Sequence, residues 1–223
     1  FWGTELGLYI TINGGDRWSK FAKNVPPVAI HYIELQSQTN DLVMGTHGRG
    51  VIIIDDISPL REINEDNLSN KLYFFERDQF EIQEFGGFSD SFGRETQFFG
   101  ANPSLSCEIQ YLLPKRHTFG KMTMEIQDMD GNKITTLNPG KSKGINTVNW
   151  SYNMRTPKIA KAKTLSFGGF TSPTVPAGDY KVVIKKGRDT FEKVINVAYK
   201  NNAGLSDEDR KFQYKTVMKL FNM

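Results

Sequence analysis

The chain has 223 residues, of which 38% are hydrophobic and 24% charged, an ordinary globular composition that argues against disorder and against a coiled coil. With 28 basic and 25 acidic residues the formal charge is only +3, so composition leaves no electrostatic footprint for nucleic acid. The longest aliphatic run, residues 51–54, falls far short of the roughly 20 residues of a membrane-spanning helix. Cys107 is the one cysteine, which excludes an internal disulfide and a thiolate metal cluster and reads as a buried, inert thiol.

The chain opens on Phe1-Trp2-Gly3-Thr4, which reads as a strand already in progress, with no initiator Met or signal peptide before it. The expectation is a cut end. The first ten residues recur: Phe1-Trp2-Gly3-Thr4-Glu5-Leu6-Gly7-Leu8-Tyr9-Ile10 returns as Val43-Met44-Gly45-Thr46-His47-Gly48-Arg49-Gly50-Val51-Ile52, with one residue inserted. Gly45 follows Gly3 by about 42 positions, close to the roughly 40–45 residues of a four-stranded propeller blade. In each copy an apolar run, a Gly-Thr turn and a second apolar run predict a hairpin whose glycines supply positive φ.

Between the copies, Thr11-Ile12-Asn13-Gly14-Gly15-Asp16-Arg17-Trp18 predicts a tight turn. Asn13 is short enough to close it on its own backbone, Gly14 and Gly15 allow left-handed conformations, and Trp18 supplies an apolar anchor. The segment resembles the Asp-box of the bacterial neuraminidase repeat. Thr11, Asn13, Gly15 and Trp18 stand in matching places, while Arg17 and Asn13 depart from the usual Thr and Asp. The resemblance implies a structural turn on the outside of a blade, without catalytic residues.

The run from Asn40-Asp41-Leu42 through Gly45-Thr46-His47-Gly48-Arg49-Gly50 to Asp55-Asp56-Ile57-Ser58-Pro59-Leu60 is similar to the closing repeat of sortilin-like and xyloglucanase-like propeller proteins. This is a large group often labelled glycosyl hydrolases, many of them from Bacteroidetes. Asp55 and Asp56 invite reading as paired glycosidase carboxylates, but adjacent strand residues point to opposite faces and cannot converge on one sugar. His47 and Arg49, in a glycine-rich loop, are the candidate ligand-binding residues if that loop faces a central channel; the alternative is a polar loop that holds its own backbone together. No catalytic residue, metal or cofactor is assigned, because His31 and His117 have no ligand-spaced partner.

Residues 58–71 are polar and lack apolar alternation, which predicts an exit linker. Beyond residue 72, short strands are expected at 107–112, 121–127, 133–137, 147–152, 178–185 and 190–197, with Asp130-Gly131 as a hairpin turn. Such spacing argues for an antiparallel sandwich over residues 72–200. Asn102-Pro103, Ile126-Gln127-Asp128-Met129-Asp130-Gly131, Gly144 to Trp150 and Val175-Pro176-Ala177-Gly178-Asp179-Tyr180 resemble the immunoglobulin-like domain that follows the propeller in the same group. Two loops attract notice: the aromatic stretch Phe85, Phe88, Phe92, Phe98 and Phe99, expected to pack on the propeller, and the basic stretch Lys141, Lys143, Arg155, Lys158, Lys161 and Lys163, expected to be a solvated face. Ser206 with Asp209 forms a variant capping box before an amphipathic helix carrying Tyr214, Val217, Met218 and Phe221 on one face.

The expected architecture is all-β: one closing propeller repeat (1–57), a linker (58–71), an immunoglobulin-like sandwich (72–200) and a C-terminal helix (201–223). The expected role is a non-catalytic segment of a secreted, periplasmic or cell-surface propeller protein. It would close the propeller and supply a docking sandwich, with the remaining blades as its partners and a glycan or protein as possible ligand. Two other readings stay open: a glycoside hydrolase whose carboxylates lie on other blades, and a peptide-binding propeller of the sortilin kind.

Overall fold

The computed structural model describes all residues except 78, 83–104, 157–171, 201–204 and 223. The aromatic stretch around Phe85 to Phe99, Asn102-Pro103, and Lys158, Lys161 and Lys163 lie outside the described residues. The described chain is mainly β-sheet and forms two compact units, Phe1–Glu76 with Leu112–Lys115, and Arg77–Tyr111 with Arg116–Met223.

In the first unit β1 (Trp2–Thr4), β2 (Gly7–Ile10) and β3 (Ser19–Phe21) form an antiparallel meander. A second meander follows: β4 (Ile30–Gln36), β5 (Asp41–Thr46) and β6 (Val51–Ile54). Leu8, Val25, Ile30, Leu42, Met44 and Ile57 form a buried cluster between them, with Ile10, Phe21, Ile33, Ile52 and Ile54 packed against it. Each such side chain removed from water contributes about 1.5–3 kcal/mol. Gly3 is required here, because a Cβ at that position would stand 2.8 Å from Ile30 Cγ2.

Both copies of the repeat fold as antiparallel hairpins, and in both a threonine hydroxyl closes the loop on a glycine carbonyl. The Thr4 hydroxyl donates to Gly7 O at 2.9 Å, and the Thr46 hydroxyl donates to Gly50 O at 2.7 Å. The turn between β2 and β3 closes through side chains. Thr11 Oγ1 accepts the Gly15 N–H at 3.0 Å, and Asn13 Oδ1 accepts the Arg17 N–H at 3.0 Å, with Gly14 and Gly15 at φ of 71° and 106°. Trp18 is exposed here and not the buried anchor expected, and it meets the also exposed Trp2 edge-on at 5.7 Å between ring centroids.

The expected linker is not extended chain. It contains α1 (Ser58–Glu62) and α2 (Glu65–Ser69), followed by β7 (Tyr73–Phe74). Pro59 stands in the first turn of α1, and a side-chain cap starts α2. Asp56, at φ 43°, accepts the Ser58 N–H, and the Asn64 side chain accepts the Asn67 N–H at 2.8 Å. The Glu62 carboxylate then accepts the Tyr73 hydroxyl at 2.9 Å and the Glu76 N–H at 3.0 Å.

The second unit contains β8 (Gln79–Ile82), β9 (Cys107–Leu113), β10 (Met122–Gln127), β11 (Lys133–Leu137), β12 (Gly144–Trp150), β13 (Gly178–Lys186) and β14 (Asp189–Tyr199). Five of them form a sheet in the order β11-β10-β13-β14-β8, and β12 lies beside β9. The expectation of a purely antiparallel arrangement is corrected at one place: β8 runs parallel to β14, from Asn196 opposite Gln79 to Tyr199 opposite Ile82. The physical reason is that β8 and β14 are the first and last strands of that sheet in sequence. Their long connection does not impose the reversal that a hairpin would.

Trp150 is at the centre of the second core, edge-on to Tyr180 at 5.6 Å, with its Nε1–H donating to Asn153 O at 3.0 Å. Met124, Ile126, Val182, Ile184, Ile195 and Val197 are buried on the five-stranded sheet. Cys107 is also buried, and desolvation pushes its thiol pKa up to about 12. The Asp130-Gly131 turn forms as expected, with Gly131 at φ 85° and the Asn132 side chain holding the Asp128 carboxyl below its ordinary pKa. Finally, α3 (Asp207–Phe221) starts with a full capping box: Ser206 accepts the Asp209 N–H, and Asp209 accepts the Ser206 N–H. It sits on its own unit, with the Tyr214 hydroxyl 3.9 Å from Met154 Sδ and Arg210 stacked 3.9 Å above the Tyr199 ring.

Candidate functional site

His47 and Arg49 occupy the β5–β6 loop, where Gly48 and Gly50 take φ of 84° and 64°. Positive φ at both glycines permits a tight loop that a side chain at either position would strain. The Thr46 N–H donates to Gly50 O at 3.0 Å, and the His47 N–H donates to Ala29 O at 2.9 Å. The backbone is therefore fixed both across the hairpin and to the approach of β4. Both side chains are exposed.

His31 is a neighbour of this loop that sequence spacing does not place there. The β4–β5 register shifts between Ile30 and Tyr32, so His31 sits on a bulge, and bulges re-aim side chains. The His31 and His47 rings lie 5.7 Å apart between centroids at 66°, an edge-to-face pair. Sequence spacing alone gave no sign of this, since the two residues are on different strands and the bulge has no composition signal. The loop thus presents two imidazoles and a guanidinium to solvent. These can donate hydrogen bonds to a polar ligand. Among the described residues no group of three or more His, Cys, Asp or Glu side chains is placed to hold a metal ion.

Asp56 is tied into the turn that leaves β6. Asp56 is in the left-handed region, its N–H donates to Asp41 Oδ1 at 3.0 Å, and its carboxylate accepts the Ser58 N–H at 3.1 Å. The Asp41 carboxyl, which also accepts the Thr39 hydroxyl, is held below its ordinary pKa chiefly by that side-chain bond. These carboxylates serve the exit turn after β6. Among the described residues no helix is long and apolar enough to cross a membrane.

No family profile matches the chain, and no curated protein matches it. Among solved structures it is similar to PorZ, described as an essential bacterial surface component of the type-IX secretion system of Porphyromonas gingivalis, with 12% identity and a TM-score of 0.27. That match covers 81% of this chain and 24% of the PorZ chain, so the present chain spans about a quarter of that protein's length.

Proposed function

We propose that the chain is a non-catalytic segment of a secreted or surface-exposed β-propeller protein, in which its first unit contributes stacked blade sheets and its second an immunoglobulin-like docking sandwich. One observation carries the first part. Leu8 and Val51 hold the same position in the two copies of the repeat, yet Leu8 is 0% exposed and Val51 65%. Trp2 and Met44 are likewise equivalent, and their exposures run the other way, at 60% and 0%. The face that copy one buries against copy two is bare on copy two, and the face that copy two buries is bare on copy one. Such reciprocity is what a continuing stack of like sheets produces at its two ends. Bare faces this apolar mark interfaces.

The side-chain turn at Thr11 to Arg17 supports the resemblance to the Asp-box group. For the second unit, the order β11-β10-β13-β14 with β12 beside β9 corresponds to strands C′-C-F-G and E-B of an immunoglobulin sandwich. The Tyr180 hydroxyl donates to Pro176 O at 2.6 Å, the tyrosine-corner bond at the start of strand F. His47 and Arg49 are proposed as the residues of this segment that reach a glycan or protein ligand.

The test of the non-catalytic reading is hydrolysis. The purified chain is expected to release no sugar from β-glucans or sialosides. Turnover that disappears in His47→Ala or Arg49→Ala would overturn it.

A further inference from the structure

Three loops meet at one end of the second unit: residues 116–121 between β9 and β10, 138–143 between β11 and β12, and 187–188 between β13 and β14. Backbone hydrogen bonds tie them together. The His117 N–H donates to Lys141 O at 3.0 Å, and the Gly187 N–H donates to Lys121 O at 3.2 Å. Asn146, a buried side chain, braces the middle loop by accepting the Ser142 N–H at 3.1 Å and donating to Ser142 O at 2.8 Å. A His117 ring nitrogen lies 3.2 Å from Gly120 O, and Gly120 takes φ 87°, which closes the first loop into a tight tip. The surface is therefore preorganised.

Its chemistry is one-sided. Arg116, Lys121, Lys141, Lys143 and Arg188 are all exposed, and the three loops contain no acidic residue. The nearest carboxylate in sequence, Asp189, stands opposite Lys186 in the β13–β14 register. In the middle of this positive field Phe119 is 88% exposed, the most exposed of the large hydrophobic side chains among the described residues. An apolar ring held in water at a rigid loop tip is unfavourable unless something takes it up.

We propose that this end of the second unit docks on an anionic lipid surface, with Phe119 entering the headgroup region and the five cations meeting lipid phosphates. Cations around an apolar anchor are how peripheral proteins hold such membranes. Nucleic acid fits less well. The three loops contain no second Phe, Tyr or Trp, and stacked bases are held in a groove by successive rings, whereas a lone protruding ring suits a yielding apolar phase. The chain's overall charge of +3 conceals the patch, because the three loops themselves contain no Asp or Glu.

The experiment is co-sedimentation of the whole chain with vesicles of phosphatidylcholine alone or mixed with phosphatidylglycerol. Binding is expected only to the mixed vesicles and is expected to fall as salt rises. Phe119→Ala should weaken partitioning roughly tenfold or more. Lys141→Glu with Lys143→Glu should do the same. Phe119→Trp should keep binding and add an emission component that shifts to the blue when vesicles are added, over the vesicle-free spectrum of the same variant. Equal binding to both vesicles, binding to neither, or an unchanged Phe119→Ala affinity each overturns the proposal. So does preferential capture by single-stranded DNA when DNA and vesicles compete.

Discussion

The two compact units treat their apolar residues differently. In the second, Tyr111, Met124, Ile126, Trp150, Val182 and Ile184 are all buried, and Trp150 meets Tyr180 inside that core. In the first, only one face of each three-stranded sheet is covered. Leu8, Leu42 and Met44 are buried, while Trp2, Tyr32, Val51 and Ile53 remain exposed on the outer faces. Among the described residues the second unit buries its large core side chains, whereas the two meanders of the first leave one face bare. The contrast also runs inside the repeat, where two hairpins of like turn chemistry have opposite exposure at equivalent positions.

Substitutions sharpen that contrast. The largest effect is expected for Trp150→Ala, which removes the central ring of the closed core and should cost about 3–5 kcal/mol in urea unfolding. Leu8→Ala should cost about 2–4 kcal/mol, since Leu8 fills the cluster between the two sheets. Val51→Ala, at the equivalent position, should change stability by less than about 0.5 kcal/mol in this chain. A Val51→Ala effect equal to that of Leu8→Ala would mean that the outer face is covered by something within the chain itself.

Much of this organisation is legible in the sequence, for identifiable reasons. The repeat is visible because Gly7 and Gly50 take positive φ and Gly3 leaves no room for a side chain. The strands of the second unit are visible because alternation and turn residues are local signals, and β11 begins and ends where it is expected. Tyr152 marks a limit of such reasoning: the strand before it ends at Trp150, and Tyr152 itself takes φ 59°. Long-range features were hidden. The parallel β8–β14 pair joins distant segments, the short helix α2 rests on the Asn64 side-chain cap, and the approach of His31 to His47 depends on a bulge. The cationic loop end was hidden for the same reason. Its charges come from three separate segments, and only the fold brings them together around Phe119.

On the proposed function, the bare outer face of β6, with Val51 and Ile53, packs against a further sheet. Amide hydrogen exchange at residues 51–54 tests it most directly, measured in the present 223-residue chain and in a version extended toward its N-terminus by the preceding sequence of its source protein. Fast exchange in the short chain and strong protection in the long one is the predicted result. Equally fast exchange in both would contradict the stacked-sheet account.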